Sequence, residues 1–260
     1  MQMRRLLVPV MAVALVFAAI GCGSSGTLSK TQYKEQAGQI HEDVGTDLNA
    51  IFDQTSSINF EDPEDMQALS VLVSNAVDTM NAGVGKLEKL VPPDVAKSFH
   101  QRLLDFYDSS LVTLETLERD TNYTVEALTT LTSLENLNLL NITDASTPDQ
   151  VLAATQQDLA MVRAKIAELA NTTAPPDLAA FQQQLIGDFQ QFANLLEAMV
   201  PAIQSSDVAT LETLASQATV LEGQISNSAS LISDVFDRLG TEIDDMAAQG
   251  AHLQDELDSL

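Results

Sequence analysis

From residue 30 onward, apolar residues recur three or four positions apart along almost the whole chain. Because an α-helix has 3.6 residues per turn, this spacing places them on one face of a helix. Five stripes cover residues 69–91, 95–106, 152–169, 178–203 and 208–246. The stripe that precedes them consists of Tyr33, Ala37, Ile40, Val44, Leu48 and Ile51. No stretch of similar length alternates with the period of two that a strand needs. The sequence therefore predicts an all-α fold, an antiparallel bundle of about six long helices.

Polar residues mark several helix starts. Ser29 with Gln32, and Thr147 with Gln150, each fit a capping box. In this motif the hydroxyl accepts a hydrogen bond from the third residue of the helix, and the glutamine side chain reaches back to the cap. An Asp-Pro pair at 62–63 places an acceptor before a helix and a proline in its first turn. The connections are short, so successive helices are expected to fold back on one another.

Three places are expected to interrupt this regularity. Leucines recur every three residues within 119–146, where threonine and asparagine lower helix propensity. We expect the third helix to continue through this stretch with a bend near 120–122. Pro201 is expected to end or kink the fifth helix, because proline lacks the N–H that a helix interior needs. Ser206 and Asp207 supply a polar start for the sixth helix, which Gly240 is expected to bend.

A helix–Pro-Pro-Asp–helix pattern occurs twice. The tripeptide at 92–94 leads into Phe99, and the tripeptide at 175–177 leads into Phe181. The first proline moves the residue before it out of helical conformation, and the second presets the next first turn. The aspartate then lies near a helix N-terminus, where negative charge contributes about 0.3–1 kcal/mol. The pattern predicts a duplicated helical hairpin in which the motif has a structural role rather than a ligand-binding one.

Residues 1–21 show the three zones of a secretory signal peptide. Arg4 and Arg5 form a positive head, residues 6–20 are apolar apart from Pro9, and small residues close the segment. A helix that spans a bilayer needs roughly 20 apolar residues, so this stretch is short for a permanent span. The arginine pair fits a general secretory leader and also a twin-arginine leader, so the export route stays open.

The chain has one cysteine, Cys22, and it follows this leader directly in the sequence Ala19-Ile20-Gly21-Cys22. The tetrapeptide resembles the lipobox of bacterial lipoproteins, Leu-small-Gly/Ala-Cys, with Ala19 where leucine is commoner. The resemblance implies that Cys22 receives a diacylglyceryl group and becomes the mature N-terminus. Two acyl chains hold a protein firmly on a membrane, whereas one holds it weakly. The alternative is an ordinary signal peptide with an incidental cysteine.

The start at residues 28–33 and the Pro-Pro-Asp corners are similar to those of small all-helical lipoproteins of actinobacteria. Many of these carry a cysteine near the end of the first helix, where this chain has Ile40-His41, so no such disulfide forms here. The resemblance implies a fold and a location on the outer face of the cytoplasmic membrane, and no activity. The expected organisation is a signal peptide at 1–21, a lipidated cysteine and flexible tether at 22–29, helices 1–3 within 30–146, and helices 4–6 within 147–260.

The charge of the chain limits its partners. The leader holds two of the 12 basic residues and none of the 37 acidic ones, which leaves a formal charge of −27 after its removal. Nucleic-acid binding needs clustered lysine and arginine, so it is not expected. The charge also argues against a body that lies flat on an anionic lipid surface. It is interpreted as a means of solubility, with a site for cationic partners as the alternative.

The sequence shows no catalytic, cofactor-binding or metal-binding residues, which leaves Cys22 as the assigned site. None of His41, His100 and His252 has a glutamate or histidine at the helical spacing of metal sites. His41 is expected on a solvated helix face and His100 at a boundary. The Gly-x-Gly-Lys run at 83–86 lacks phosphate-loop spacing and is expected to be a thin helix face against which a neighbour packs.

These observations favour a non-enzymatic binding or structural module of the cell envelope, without a cofactor. The long third and sixth helices are the candidates for self-association or for a protein partner through a coiled-coil-like contact. A carrier for a metal ion or an apolar molecule is the alternative, and it requires a cavity lined by convergent groups. An enzyme ranks third, because it needs a cleft with perturbed titratable groups.

Overall fold

The computed structural model describes residues 26–59, 62–132 and 147–260. Within these ranges the chain forms six α-helices, three short 3₁₀ segments and no strand. The helices are α1 (Lys30–Phe52), α2 (Pro63–Leu87), α3 (Lys97–Thr132), α4 (Pro148–Asn171), α5 (Ala179–Ser205) and α6 (Val208–Ser259). The predicted all-α fold is confirmed, and the third and sixth helices are the two longest, with 36 and 52 residues.

The helix starts follow the polar signals in the sequence. Both capping boxes are formed: the hydroxyls of Ser29 and Thr147 accept from the backbone N–H groups of Gln32 and Gln150, which reach back to the cap residues. The Asp-Pro pair at 62–63 begins α2, where the carboxylate accepts backbone hydrogen bonds from the first turn. These signals act within one turn, so the sequence alone is sufficient to place them.

The expectation that the fifth helix ends at Pro201 is wrong. Helix α5 continues through Pro201 to Ser205, and it ends where Ser206 takes a left-handed conformation with φ 55°. A proline removes one helical hydrogen bond. The buried side chains of Ala202 and Ile203 hold the last turn against the core. The polar start of α6 is confirmed, since the Asp207 carboxylate accepts from the backbone N–H of Thr210 at 3.1 Å.

The chain divides into two compact units. Of the described residues, unit 1 contains 26–57, 75–112 and 246–260, and unit 2 contains 58–59, 62–74, 113–132 and 147–245. Both units are therefore assembled from separate segments, and α2, α3 and α6 each contribute to both. The division of the sequence at residue 146 falls in the stretch 133–146, outside the described residues, and it stays a prediction.

In unit 1 the described parts of α1, α2, α3 and α6 pack around buried tyrosines and leucines. Helix α1 runs in the same direction as α3, because Tyr33 contacts His100 and His41 contacts Tyr107. Helix α6 runs antiparallel to α1, since His41 contacts Gly250 while Gly38, earlier in α1, faces Leu257.

In unit 2 the described helices α4 and α5 form an antiparallel hairpin. Arg163 of α4 and Glu197 of α5 form an ion pair, 2.7 Å apart, between the two helices. Near the turn, the Gln182 amide donates to the carbonyl oxygens of Leu169 and Thr172 at 2.6 and 2.5 Å. The interior includes Val162, Leu178, Phe181, Leu185, Phe189 and Leu196.

The two Pro-Pro-Asp corners share one backbone plan. Pro93 and Pro175 are extended, with ψ 159° and 150°, and each precedes a short 3₁₀ segment. Their carbonyl oxygens accept hydrogen bonds from Ala96 and Leu178, which are both fully buried. A buried phenylalanine and a buried leucine follow six and ten residues after each of these prolines.

The structural equivalence of the two corners is shifted by one residue from the alignment that places the two Pro-Pro-Asp tripeptides on each other. The second proline of the first corner corresponds to the first proline of the second corner, so Asp94 and Asp177 are not equivalent positions. Asp94 pairs locally with Lys97 at 2.7 Å. Asp177 instead pairs with Arg119 and Arg238 from distant segments of unit 2. The hairpin duplication itself stays a prediction.

Candidate functional site

Among the described residues, Leu28 forms a hydrogen bond to the helical body, and it stands six positions after Cys22, the assigned lipid-attachment residue. Cys22 and the leader lie outside the described residues. The backbone N–H of Leu28 donates to the carbonyl oxygen of Val91 at 2.9 Å, and the Ser29 cap follows directly. Leu28 is thus attached to unit 1 beside the first Pro-Pro-Asp corner, and six residues span at most roughly 20 Å when extended.

His41 is held between α3 and α6 rather than on a solvated helix face, which corrects the sequence-based expectation. Its Nε2 lies 2.9 Å from the Gly250 carbonyl oxygen, so Nε2 carries the hydrogen that is donated. In the neutral ring Nδ1 is then an acceptor, and the Tyr107 hydroxyl donates to it at 3.1 Å. Burial lowers the pKa of His41, and the bond to the Gly250 carbonyl partly opposes this shift.

His100 forms a second tyrosine–histidine pair in the same unit. The residue is buried, and its Nδ1 lies 3.2 Å from the Tyr33 hydroxyl oxygen. Burial lowers the pKa of His100 and raises the pKa of Tyr33 to about 12. The two pairs are reciprocal, because α1 supplies the tyrosine in one and the histidine in the other. His252 is exposed on α6 and faces Glu256 at 3.3 Å.

These contacts give the histidines a structural role. Both ring nitrogens of His41 are engaged within the protein, so neither presents a lone pair to a ligand in this structure. Across the ranges that the structure describes, no group of three or more His, Cys, Asp or Glu side chains has the geometry to hold a metal ion. Sequence spacing missed the two pairs, because residues in α1 and α3 that meet are more than 60 positions apart.

A buried carboxylate in unit 2 is the clearest charged feature that sequence reasoning missed. The Asp120 side chain is 0% exposed, and its Oδ1 accepts from Nε and Nη2 of Arg119 at 3.0 and 2.8 Å. Asp177 lies between Arg119 and Arg238, at 3.6 and 2.8 Å. Burial raises the pKa of Asp120, and the Arg119 guanidinium counteracts it. The aspartate of the second Pro-Pro-Asp corner was the one signal of this network in the sequence.

Three buried polar atoms in this part of α3 find no hydrogen-bond partner among the described residues. They are Oδ2 of Asp120, Oγ1 of Thr121 and the hydroxyl oxygen of Tyr123. Burial raises the pKa of Tyr123 to about 12, with Glu126 adding to the shift. A buried polar group that stays without a partner costs about 1–3 kcal/mol.

Of the two glycines in the run 83–86, Gly83 packs closely against neighbouring helices as expected, and Gly85 does not. A Cβ on Gly83 would stand 2.7 Å from Cγ2 of Val44 and 2.9 Å from Cε1 of Tyr107. A Cβ on Gly85 would meet nothing within 4 Å. The run is therefore a close helix contact in unit 1 and not a phosphate-binding loop.

Two surface clefts lie in unit 2. The first, of about 460 Å³, is formed by α5 and α6 and includes the amide side chains of Gln191, Asn194, Gln217 and Gln224. The second, of about 400 Å³, is formed by α3 and α4 beside Tyr123. Both volumes fall within the range of small-molecule sites. Four of the eight residues that line the first cleft carry amide side chains.

Among residues 26–59, 62–132 and 147–260, no helix combines the length and the apolar character needed to cross a bilayer. Comparisons with family models, curated proteins and solved structures gave no match to this chain.

Proposed function

We propose that the protein is an exported lipoprotein, held on the outer face of the cytoplasmic membrane by a diacylglyceryl group on Cys22. Its helical body acts as a non-enzymatic binding or structural module of the cell envelope. The observation that carries this proposal is the position of the single cysteine. Cys22 stands at the end of a 21-residue leader and six residues before Leu28, which is attached to the folded body.

The environment of the titratable groups supports a non-enzymatic role. His41 donates and accepts within unit 1, and His100 is buried against Tyr33. A general base must reach a substrate proton within hydrogen-bond distance. A ring whose two nitrogens are already engaged lacks that reach unless its packing opens. The exposed valines Val208 and Val220 on the 52-residue α6 favour a helical partner or self-association.

Mass spectrometry of the native protein tests the anchor. We expect cleavage before Cys22 and an added diacylglyceryl mass on that residue. Cys22→Ala is expected to release the protein into the medium, with Ser24→Ala in the tether as the matched control that stays on the membrane. An unmodified thiol on the native chain, or a Cys22→Ala variant that stays bound after its leader is removed, contradicts the anchor.

Crosslinking in intact membranes, followed by pulldown, tests the binding role. We expect a discrete crosslinked species that contains a second copy or a second envelope protein. Its absence at several crosslinker lengths contradicts the binding role, and a structural role then remains.

The cleft between α5 and α6 favours a carrier as the second candidate. Among the described residues that line it are four amide side chains, which can donate and accept hydrogen bonds, so an organic molecule with polar groups fits this cleft. Native mass spectrometry of protein extracted from its own membrane is expected to show a co-purifying small molecule if this role applies. Gln191→Leu together with Gln217→Leu should then release it.

A further inference from the structure

Lysines are distributed unevenly along the chain. After Cys22 there are six lysines, and five of them lie between residues 30 and 97. Those five all belong to unit 1, whereas Lys165 lies in unit 2. In a chain with 37 acidic residues, this concentration marks one part of unit 1 as unusually basic.

The first Pro-Pro-Asp corner combines exposed lysines with exposed valines. Lys86 and Lys89 lie at the end of α2, and Lys97 begins α3; all three are exposed. Between them, Val91 is 45% exposed and Val95 is 69% exposed. Large apolar side chains that stand in water beside cations are typical of surfaces that contact a lipid headgroup region.

The second corner has the same backbone plan and a different surface. There, Asp177 stands at the position of Val95 and is paired with Arg119 and Arg238, and Ala179 stands at the position of Lys97. The corner fold therefore does not itself require the exposed lysines and valines. The difference argues for a separate role of the first corner's surface.

The tether attaches beside this same surface. The backbone N–H of Leu28 donates a hydrogen bond to the carbonyl oxygen of Val91, and Lys30 follows in the first turn of α1. If Cys22 carries the lipid, the corner is held within roughly 20 Å of the headgroups. At such a range the effective concentration of membrane surface is high, so weak contacts are sufficient for docking.

We propose that this surface, formed by Lys30, Lys86, Lys89, Val91, Val95 and Lys97 and called the basic corner below, docks on anionic phospholipid headgroups of the anchoring membrane. The inference rests on the proposed lipid anchor. The two valines enter the headgroup region, and the lysines contact phosphate oxygens. This deepens the anchor from a flexible attachment into a defined orientation of unit 1.

Acidic groups at the basic corner reduce its charge without reversing it. Glu88 is exposed on the same turn, and Asp94 is paired with Lys97. Glu256 and Asp258 in the last turns of α6 also reach this end of unit 1, where they pair with Arg102 and Lys34. With these two pairs included, six basic side chains stand beside four carboxylates. The many carboxylates elsewhere are screened beyond about 8 Å at physiological ionic strength. They repel an anionic surface at close range, which favours contact through the corner over contact through other faces.

The absence of tryptophan in the chain allows a clean test. Ser98→Trp places a reporter in the first turn of α3 beside the corner, and Gln54→Trp places one after the far end of α1. Helix α1 has 23 residues and so separates the two ends by about 35 Å. The native lipoprotein is reconstituted in vesicles that carry a headgroup nitroxide quencher, with or without 30% phosphatidylglycerol. In a second arm, the chain from Cys22 is coupled through its thiol to a maleimide lipid, which supplies an anchor that does not depend on cellular lipidation.

We expect quenching of Ser98→Trp, and not of Gln54→Trp, on the anionic vesicles, and less quenching on neutral ones. Each lysine near an anionic surface changes the docked-to-undocked ratio by about fivefold, so Lys86→Gln with Lys89→Gln should lower that ratio by about 25-fold. Arg163→Gln with Lys165→Gln removes the same charge from unit 2 and should leave quenching unchanged.

Equal quenching at both reporters would contradict docking through the basic corner. Quenching that does not depend on the lipid charge or on the lysine substitutions would contradict it as well. A free thiol on the native protein overturns the lipid anchor but leaves the maleimide arm informative, so the two failures are distinguishable.

Discussion

The Tyr107 hydroxyl donates a hydrogen bond to Nδ1 of His41 across 3.1 Å, while Nε2 of the same ring donates to the carbonyl of Gly250. The ring thereby ties α1 to both α3 and α6 in unit 1. This arrangement requires the neutral tautomer, because a proton on Nδ1 removes the acceptor that Tyr107 uses. The part-buried His41 and the buried His100 make unit 1 sensitive to acid.

The unfolding free energy is expected to fall as the pH drops below 6.5, the usual pKa of histidine. Burial holds the pKa of His41 and His100 below that value in the folded state, so the unfolded chain binds the proton first. Stability from the neutral rings is complete above pH 6.5 and declines below it. Urea unfolding at pH 7.5 and 5.0 measures the slope, and His41→Gln should reduce it. His252→Gln, which changes an exposed ring, is the control and should leave the slope as it is.

Gly83→Ala is expected to destabilise the protein by about 1–3 kcal/mol, because the new methyl group overlaps Val44 and Tyr107. The clash outweighs the helix propensity gain of about 1 kcal/mol. Gly85→Ala, two residues further along the same helix, meets nothing and should stabilise by about that amount. Urea unfolding of both variants measures the difference. Equal effects would show that the close approach at Gly83 is absent.

Asp177→Ala is expected to cost about 1 kcal/mol, because it leaves Arg119 and Arg238 without the carboxylate that lies between them. Asp94→Ala removes an aspartate from the other corner, where the pair with Lys97 is open to solvent, and no measurable change is expected. Thermal unfolding at low and high salt checks both. A loss at Asp94 as large as that at Asp177 would contradict the different surroundings of the two corners.

Asp120→Asn is expected to raise stability at neutral pH. Burial holds the pKa of the Asp120 carboxyl above its usual 3.8, so the folded state resists its ionisation. The folded protein therefore loses stability as the pH rises from 3.8 through the folded pKa, and the deficit persists at pH 7. The advantage of the amide should shrink as the pH approaches 3.8. Asp105→Asn, on the exposed face of the same helix, is the control. A variant that is less stable at pH 7 would mean that the Arg119 pair outweighs the burial of charge.

The helices and their starts were predictable because their causes are local. The hydroxyls of Ser29 and Thr147 bond to residues three positions away, and the apolar stripes follow directly from the helical repeat. The environment of His41 was not predictable in this way. Its neighbours Glu42 and Asp43 suggested a solvated face, but its partners lie 66 and 209 positions away in the chain.

The Pro-Pro-Asp corners contain one feature that the sequence predicted and one that it did not. The tripeptide correctly predicted two turns between helices, because proline acts on its own φ and on the residue before it. It did not reveal the one-residue offset between the corners, because the register is decided by which residue, Ala96 or Leu178, enters the core. The expectation that α5 ends at Pro201 was wrong for a similar reason, since the packing of Ala202 and Ile203 outweighs one missing hydrogen bond. The expected kink at Pro201 stays a prediction.

The sequence by itself determined the all-α class, the helix starts and the position of Cys22 behind a leader-like segment, since each depends on neighbours within a few residues. Only the tertiary structure decided that histidines pair with tyrosines, that Asp120 is buried, that one corner binds arginines and that the other leaves lysines and valines in solvent. Those outcomes depend on which helix faces meet. That choice is made by the packing of apolar stripes over the whole chain, and no local pattern records it.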